Sequence, residues 1–456
     1  MRIHLIAIGG SAMHNLALAL HENGHQVSGS DDEIFEPSRT RLLQKGLLPD
    51  KEGWFPEKIH IGIDAVILGM HAREDNPELQ EAIQAGIPVY SYPDFIYEHA
   101  KHKKRIVIGG SHGKTSITAM ILHVMHQCGL QPDFLVGAQL KGFDTMVRLR
   151  DEADMMVIEG DEYLSSPLQR IPKFHIYRPH VAVMSGIAWD HINVFPTFEN
   201  YVEQFRIFID KIEKGGSLIY NLEDEQVKRL AENHRSDIEK IVYSTHSHKI
   251  VNGLTYLLHK KGETPLKIFG RHNLQNLNAA LKVCLKAGIS ENDFYQAISS
   301  FEGAARRLER VALNEKYAIF KDFAHSPSKL KATIEAVKEQ FPERKLIACM
   351  ELHTFSSLNA DFLKEYRGAM EKADEALVYF NPHTVAHKKL NNIDAQAIAQ
   401  AFGGENLMVY DSSNAILDAL KAKDYTNTVL LMMSSGNFDG MDLNQMETLL
   451  GLNSMH

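Results

Sequence analysis

The segment Ile106–Ser116 constrains the fold of this chain more than any other stretch. It reads IVIGGSHGKTS, so a run of apolar β-branched residues is followed by glycines and small polar residues. This order predicts a buried strand, a glycine turn and the start of a helix, which continues over 117–127. Backbone N–H groups of such a turn and the positive end of the helix together bind phosphate groups. A plain strand-to-helix turn with a solvated lysine is the alternative.

Two side chains of this segment suit a nucleotide. Lys114 can reach the β- and γ-phosphates, and the Thr115 hydroxyl can ligate Mg²⁺. The spacing is unusual, because the first glycine of the common phosphate loop would fall at Ile108, whereas the glycines stand at 109 and 110. We therefore predict a shortened phosphate loop.

Length and composition narrow the class of protein. A chain of 456 residues with 44% hydrophobic content is too long for one core, and three domains are expected. The net charge is −9, and the one dense basic run, Lys101–Arg105, is interpreted as a solvated linker, which argues against nucleic acid as a partner.

The cysteines and the lengths of the apolar runs indicate the cellular compartment in which the protein is expected. Cys128, Cys284 and Cys349 are too widely separated for a metal motif or a disulfide framework, so we expect core residues in a reducing cytoplasm. No apolar run reaches the roughly 20 residues of a membrane helix, so no membrane insertion is expected. The N-terminal segment is predicted to be a strand, not a signal peptide.

Residues 1–102 show the alternation of strand and helix that opens a Rossmann-like domain. An apolar run over 3–8 leads into Gly9-Gly10-Ser11, a helix is expected over 12–23, and a second strand ends at Asp31. The third glycine of the dinucleotide fingerprint is absent, but Asp31 stands where that fingerprint has its acidic residue. An NAD-linked oxidoreductase therefore remains an alternative, since a helix N-terminus can bind any diphosphate.

Two further α/β domains are expected, a central one over 103–300 and a C-terminal one over 301–456. Strand-like runs alternate with helical segments in both; they cover 155–158, 181–184 and 217–220, then 317–320, 345–349, 375–379 and 428–432. The segment 436–440 after the last strand is interpreted either as a ligand loop or as a polar turn. The predicted fold class is α/β with a Rossmann-like domain, a P-loop ATPase-like domain and a second Rossmann-like domain.

Acidic and imidazole groups follow two of the central strands. Glu159-Gly160-Asp161-Glu162 comes directly after the run 155–158, and Asp190-His191 comes shortly after 181–184. Carboxylates at the carboxyl end of a parallel sheet suit Mg²⁺. If the two strands are neighbours, Glu159 and His191 converge on a metal held by Thr115. A solvated acidic turn and a structural histidine are the alternatives.

Three more segments carry groups that suit a nucleotide, each with a structural alternative. Asn273 precedes a predicted helix, where its amide can bond a base or cap the helix. Arg306 and Arg307 can bind phosphate oxygens or lie on a surface helix. Asp322 closes a strand-like run, where it can accept from ribose hydroxyls or belong to a turn.

Taken in chain order, these segments resemble the motifs of the Mur ligase family, the ATP-dependent amide-forming enzymes of bacterial peptidoglycan synthesis. The first domain, with Gly9-Gly10 and Ser28-Gly29-Ser30-Asp31, resembles the branch that binds UDP-N-acetylmuramic acid. Ser111, Gly160 and Phe323 depart from the family pattern, as does Ser326. The matching segments are Gly110-Ser111-His112-Gly113-Lys114-Thr115, Glu159-Gly160-Asp161-Glu162, Asp190-His191, Gly270-Arg271-His272-Asn273, Arg306-Arg307 and Asp322-Phe323-Ala324-His325-Ser326-Pro327.

The resemblance implies an enzyme that uses ATP and Mg²⁺ to join the carboxylate of UDP-N-acetylmuramic acid to an amine through an acyl-phosphate. The implied amine is the tripeptide L-alanyl-γ-D-glutamyl-meso-diaminopimelate, because the segments 177–179 and 190–196 resemble the recycling branch. L-alanine is the alternative amine. Lys114, Glu159 and His191 are the implied catalytic residues, and the last two are expected to hold the metal with Thr115.

The resemblance also assigns residues to three binding surfaces. ATP is expected to contact Gly110, Ser111, His112, Gly113, Lys114, Thr115, Ser116, Asn273, Arg307 and Asp322. The UDP-sugar is expected to contact Gly9, Gly10, Ser11, Ala12, Met13, Ser30, Asp31 and His71. The amine is expected to contact His325 and His353. A P-loop protein that hydrolyses ATP without forming an amide is a further alternative.

Overall fold

The computed structural model describes residues 1–452 except 71, 141, 167, 192–193, 252, 304–307, 389, 392 and 405. The chain divides into two compact units. The first comprises Met1–Trp189, Asn193–Ser244 and Asn278–Phe294, and the second comprises Asp190–Ile192, Thr245–Leu277 and Tyr295–His456. Most residues of the first two predicted domains therefore belong to one unit.

The first unit begins with a parallel four-stranded sheet in the order β2-β1-β3-β4. The strand, glycine turn and helix predicted for its opening are confirmed by β1 and α1. The helix α3 begins after Asn76, because the Asn76 side chain accepts from two N–H groups of its first turn. The elements are β1 Arg2–Ile6, α1 Ser11–Glu22, β2 Gln26–Ser30, α2 Ser38–Gln44, β3 Ala65–Leu68, α3 Pro77–Gln84, β4 Val89–Ser91 and α4 Tyr92–Ala100.

A seven-stranded sheet follows in the same unit, in the order β11-β10-β9-β5-β8-β6-β7, with only the β6–β7 pair antiparallel. Its central strand, β5, is the predicted phosphate-loop strand. The elements are β5 Lys104–Gly109, α5 Lys114–Gln127, β6 Asp133–Leu135, β7 Val147–Arg148, β8 Met155–Glu159, β9 Val181–Met184, α6 Phe198–Asp210, β10 Ser217–Asn221, α7 Glu225–Asn233 and β11 Glu239–Tyr243.

The strands β8 and β9 are not neighbours, so that premise of the predicted metal site is wrong. The strand β5 lies between them and pairs with both, with Ile108 opposite Glu159 and Gly109 opposite Met184. The chain crosses over β5 because parallel strands are joined by crossover connections and need not follow one another in space. The carboxyl ends of the three strands still meet at one edge of the sheet.

One apolar cluster runs through both sheets of the first unit. It contains Ile3 and Leu16 near the first sheet, and Val107, Met184 and Phe208 near the second. Burial of these side chains stabilises the two sheets as a single body. Residues that the two sheets contribute to one site are therefore held at fixed separations.

The second unit contains an antiparallel sheet that the sequence did not predict, in the order β12-β13-β14. Two helices follow it, and each begins in one unit and ends in the other. The elements are β12 His248–Val251, β13 Leu254–His259, β14 Gly262–Leu266, α8 Arg271–Lys286 and α9 Glu291–Ile298.

The rest of the second unit is a six-stranded sheet in the order β15-β16-β20-β17-β18-β19, parallel except for the β15–β16 pair. Alternate residues of β17 belong to different apolar clusters: Ala348 packs on one face and Cys349 on the other. The sheet is thus covered on both faces, as expected of a parallel sheet. The elements are β15 Glu309–Leu313, β16 Tyr317–Asp322, α10 Pro327–Gln340, β17 Lys345–Leu352, α11 Ala360–Leu363, β18 Glu375–Phe380, α12 Pro382–His387, α13 Ala395–Phe402, β19 Leu407–Tyr410, α14 Ser413–Lys421, β20 Thr428–Met433 and α15 Met446–Leu449.

Two predictions drawn from composition need correction. Lys103 and Arg105 are buried, so the basic run is not a solvated linker. The Arg105 Nε–H donates to the carbonyls of Tyr177 and Arg178, both at 2.9 Å, and the Lys103 ammonium lies 2.7 Å from the Asp133 carboxylate. Cys284 and Cys349 are core residues as predicted, whereas Cys128 is only partly buried.

None of the helices in the described part of the chain has the length and apolar content to cross a bilayer.

Candidate active site

The phosphate loop between β5 and α5 has a positive φ, which favours glycine, at two positions. Gly110 has a φ of +135°, and a Cβ there would lie 2.0 Å from the Ser185 Oγ. Gly113 has a φ of +82° and forms the N-cap of α5, whose first turn has no side-chain cap. The helix N-terminus therefore keeps its N–H groups and its positive potential for an anion.

The Ser111 and His112 side chains tie this loop to the segment that follows β9. The Ser111 N–H donates to the Gly186 carbonyl at 2.9 Å, and the Ser111 Oγ accepts from the Ala188 N–H at 2.8 Å. The His112 ring packs so closely on Gly186 that a Cβ there would lie 2.3 Å from its Cε1. The loop is therefore preorganised by residues of a second strand end.

Lys114 is the first residue of α5, and its ammonium is held at the mouth of the loop. Its Nζ donates to the Gly110 carbonyl and to the Glu162 Oε2, both at 2.5 Å, and the Tyr201 hydroxyl donates to the other oxygen of Glu162. Burial lowers the pKa of Lys114, but the attraction of Glu162 and Asp161 outweighs burial and raises it. The lysine therefore stays charged at neutral pH.

Thr115 and Glu159 lie together, as the sequence predicted from their strand and helix positions. The Thr115 hydroxyl donates to the Glu159 Oε1 at 2.7 Å, and the Gly137 N–H donates to the Oε2 at 2.8 Å. Burial raises the pKa of Glu159, against the lowering effect of these bonds and of Lys114. A half-buried carboxylate beside a hydroxyl is an oxygen donor set that fits Mg²⁺, which keeps several waters or phosphate oxygens as further ligands.

His191 has no established place in this donor set. It belongs to the second unit, has a φ of +55°, and its backbone N–H donates to the Asp190 Oδ1 at 2.8 Å. Within the described ranges, no group of three or more His, Cys, Asp or Glu side chains is arranged to hold a metal ion. The predicted role of His191 as a metal ligand stays a prediction.

A cavity of about 340 Å³ in the first unit joins this loop to the first domain. Ser11 and Ala12, at the start of α1, line it together with Lys114 and Glu159. The turn of the Rossmann-like domain and the phosphate loop thus face one space. Apolar side chains such as Leu135 and Val147 complete the lining.

Asp161 and Lys173 also line this cavity, although the sequence singled out neither as a site residue. The Lys173 Nζ lies 2.6 Å from the Asp161 Oδ2. Burial would raise the pKa of Asp161, but the ammonium groups of Lys173 and Lys114 outweigh it and lower the pKa to about 2. Asp161 stands inside a recognised motif, whereas Lys173 lies in a polar segment without any pattern that marks it.

Among the residues expected to bind the UDP-sugar, Ser11 and Ala12 line the cavity. The Gly9 N–H donates to the Asp31 Oδ2 at 2.7 Å, and burial raises the pKa of Asp31 to about 6. Ser30 is buried and accepts from the Lys58 ammonium at 3.2 Å. Gly10 forms the N-cap of α1, Met13 packs in the apolar core, and His71 lies outside the described residues.

The remaining residues expected at ATP belong to the second unit. The Asn273 amide donates to the Phe269 carbonyl at 2.9 Å and is buried at the start of α8. The Asp322 carboxylate accepts from the Leu308 N–H at 2.6 Å and the Ala324 N–H at 2.7 Å. The Oδ1 also accepts from the Thr333 hydroxyl at 3.4 Å, so the Oδ2 is the oxygen that keeps a lone pair for a further donor. Arg306 and Arg307 lie outside the described residues.

The residues expected at the amine surround the carboxyl ends of β16 and β17. The His325 Nδ1 lies 2.8 Å from the Phe323 carbonyl, and the His353 Nδ1 lies 3.6 Å from the Glu351 Oε1. Glu351, which the sequence did not single out as a site residue, is buried and accepts from the Phe438 N–H at 2.8 Å and from the Ser434 hydroxyl. The segment 436–440 is therefore fixed to β17, and its Phe438 side chain is fully buried.

Family models match three successive parts of the chain. Residues 2–104 match the Mur ligase family catalytic domain, 108–284 the Mur ligase middle domain, and 306–436 the Mur ligase glutamate ligase domain. The UDP-N-acetylmuramate–L-alanine ligase of Aquifex aeolicus is 29% identical over 418 residues, which cover 88% of each chain. The UDP-N-acetylmuramate–L-alanine ligase of Carboxydothermus hydrogenoformans is 26% identical, and the match covers 96% of this chain and 95% of that ligase.

Solved structures share the fold over the whole chain. A UDP-N-acetylmuramate–alanine ligase from Thermotoga maritima superposes with a TM-score of 0.69 at 20% identity. The superposition covers 100% of this chain and 99% of the Thermotoga maritima chain. A murein peptide ligase from Psychrobacter arcticus gives a TM-score of 0.65 at 22% identity, covering 99% of both. The models account in order for the Rossmann-like opening, the phosphate loop and the C-terminal sheet, and the chain belongs to the Mur ligase family of ATP-dependent ligases.

Proposed function

We propose that the protein forms an amide between the carboxylate of UDP-N-acetylmuramic acid and an amine, at the expense of ATP. The observation that carries the proposal is the shared cavity, because Ser11 and Ala12 of the first domain line it together with Lys114 and Glu159. A UDP-sugar diphosphate suits the uncapped start of α1, and a nucleotide triphosphate suits the uncapped start of α5. One cavity between two anion sites suits the reaction of a carboxylate with a γ-phosphate.

The proposed chemistry has two steps. A carboxylate oxygen attacks the γ-phosphorus, the bond to the β-phosphate oxygen breaks, and ADP leaves an acyl-phosphate. The neutral amine then attacks the acyl carbon, the tetrahedral adduct loses inorganic phosphate, and the nitrogen loses one proton. The product is an amide, so neither step oxidises or reduces the substrate.

Residues of this chain provide positioning and charge in both steps. Lys114 is proposed to neutralise charge on the transferring phosphoryl group, since its ammonium is charged and preorganised by two hydrogen bonds. Thr115 and Glu159 would hold Mg²⁺, which polarises phosphoryl oxygens when bound. His191 is proposed as its third ligand.

The tripeptide L-alanyl-γ-D-glutamyl-meso-diaminopimelate is our proposed amine, as the segments 177–179 and 190–196 indicate. L-alanine is the second candidate, because the curated relatives at 26–29% identity are named as L-alanine ligases. Asn273, Arg307 and Asp322 are proposed at the adenosine and its phosphates, and His325 and His353 at the amine. A cytoplasmic location is proposed, where the nucleotide substrates are made.

The test supplies ATP, Mg²⁺ and UDP-N-acetylmuramic acid with either the tripeptide or L-alanine, and weighs the product by mass spectrometry. We expect a mass gain that equals the amine minus water, together with phosphate release that needs all three substrates. Phosphate release that is unchanged without the UDP-sugar would indicate a simple ATPase and refute the ligase proposal. Stronger thermal stabilisation by NAD than by the UDP-sugar would favour the oxidoreductase instead.

A further inference from the structure

We propose that Asn15 is a positioning residue that fixes the separation between two walls of the cavity and thereby sets the affinity for the UDP-sugar. The inference rests on the proposed function, because it takes UDP-N-acetylmuramic acid as the ligand. One wall is the start of α1, with Ser11 and Ala12, and the other is formed by Met146 and Val147. Asn15 lies one helical turn after Ser11 and is fully buried.

The two ends of the Asn15 amide bond the backbone of the two walls. Its Nδ2 donates to the Ser11 carbonyl at 2.8 Å, and its Oδ1 accepts from the Met146 N–H at 3.2 Å. The Met146 carbonyl in turn accepts from the N–H of Val136, which also lines the cavity, at 2.9 Å. A series of hydrogen bonds therefore runs from Ser11 through Asn15 and Met146 to Val136.

Arg41 on α2 reinforces this connection from outside the cavity. Its Nη1 donates to the Asn15 Oδ1 at 3.0 Å, and its Nη2 donates to the Asp144 carbonyl at 2.8 Å. The planar guanidinium holds both acceptors in one fixed geometry. The segment before β7 is thus attached to α2 as well as to α1.

His14 fits the same arrangement only as a neutral imidazole. Its Nδ1 lies 3.0 Å from the Gly10 carbonyl, which can only accept, so Nδ1 carries the proton. Its Nε2 is then the acceptor that faces the Arg41 Nη1 at 3.2 Å. Burial lowers the pKa of His14, in agreement with the neutral form.

The position of Asn15 predicts an effect on binding, not on chemistry. Its hydrogen bonds go to the walls, to Arg41 and to the His14 Nε2, and none of those partners is Lys114, Thr115 or Glu159. Loss of the amide leaves buried donors and acceptors unpaired, so the walls separate or shift to recover partners. The UDP-sugar then loses contacts, while the phosphate loop stays as it was.

The test replaces Asn15 by leucine, which has a similar shape but no polar group. We expect the dissociation constant for UDP-N-acetylmuramic acid, measured by isothermal titration, to rise about tenfold, which corresponds to roughly 1.4 kcal/mol. The dissociation constant for ATP and kcat at saturating substrates should stay within about twofold. The matched control is Asn233→Leu, because the Asn233 amide also donates to the carbonyl four residues earlier but lies on an exposed helix end.

A second variant and a second measurement keep the test decisive if Asn15→Leu folds poorly. Arg41→Met, at a partly exposed position, should raise the same constant by a smaller factor and add little in the Asn15→Leu background. Hydrogen exchange over 142–147 should be faster in both variants. Unchanged UDP-sugar affinity in both variants, or equal loss of ATP affinity, overturns the inference while the proposed function stands. Failure of the unmodified protein to bind the UDP-sugar overturns both.

Discussion

The Lys114–Glu162 pair allows the contribution of Lys114 to stability to be measured separately from its proposed role in catalysis. The Lys114 ammonium lies 2.5 Å from a Glu162 carboxylate whose side chain is only 2% exposed. Lys114→Met keeps the apolar stem and removes the charge, so the Glu162 charge stays buried without the ammonium that balances it. Loss of one partner from a buried pair costs about 3–5 kcal/mol. Lys114→Met is therefore expected to destabilise the first unit and to lower kcat by about 10²–10³-fold.

A double variant distinguishes the two effects. Lys114→Met combined with Glu162→Gln removes the unbalanced charge and keeps an acceptor for the Tyr201 hydroxyl, so most of the lost stability should return. Phosphate release should not return, because no cation replaces Lys114 at the phosphoryl group. Wild-type phosphate release in the double variant would refute the catalytic role.

Tryptophan fluorescence during urea unfolding provides the stability measurement. Both tryptophans, Trp54 and Trp189, belong to the first unit, so the signal reports the unit that contains the pair. Lys173→Met is the matched control, because the Lys173–Asp161 pair lies in the same cavity but is 24% and 39% exposed. Such a pair contributes about 0–1 kcal/mol. A Lys114→Met variant as stable as Lys173→Met would contradict the burial argument.

Three further predictions concern the first unit and use the same fluorescence signal. Gly110→Ala should be far less stable than Gly129→Ala, because both have a positive φ but only Gly110 would place a Cβ 2.0 Å from Ser185; equal stability would contradict the steric argument. Burial lowers the pKa of His175 from 6.5 to about 4, so the stability contributed by the neutral imidazole is present above pH 6.5 and is lost as pH falls to 4. Relative to His175→Gln, the free energy of unfolding of the wild type should fall by about 3 kcal/mol over that range. Burial raises the pKa of Asp31 from 3.8 to about 6, so the stability contributed by the protonated carboxyl is present below pH 3.8 and is lost as pH rises through 6. Relative to Asp31→Asn, the free energy of unfolding of the wild type should fall by about 3 kcal/mol as pH rises over that range. A pH-independent difference in either pair would refute the corresponding pKa argument.

Local apolar patterns predicted the central strands well, because each is a short buried run between polar residues. The strand β9 covers the predicted range 181–184. Helix starts were less accurate: α5 begins at Lys114, before the predicted range 117–127, and α8 begins at Arg271, so that Asn273 lies within the helix that it was predicted to precede. The first turns of these helices are polar, so they lack the apolar periodicity that identifies a helix. The sheet β12–β14 was missed because its strands are half exposed and short.

The site could be predicted where chemistry and local pattern coincide. Thr115 and Glu159 each follow a glycine turn or a strand of recognisable sequence, and the structure brings them within 2.7 Å. Lys103, Lys173 and Asn15 could not be assigned, because their roles depend on partners distant in sequence. Lys103 pairs with a carboxylate 30 residues away, and Asn15 bonds a backbone 131 residues away.

The hydrogen bond from the Ala188 N–H to the Ser111 hydroxyl has a mechanical consequence. Ala188 precedes by two residues the point where the chain enters the second unit, at Asp190. Two Cα steps span roughly 7.6 Å at most, which leaves almost no slack in the chain. The Ser111 hydroxyl therefore fixes the chain to the phosphate loop directly before it leaves the first unit.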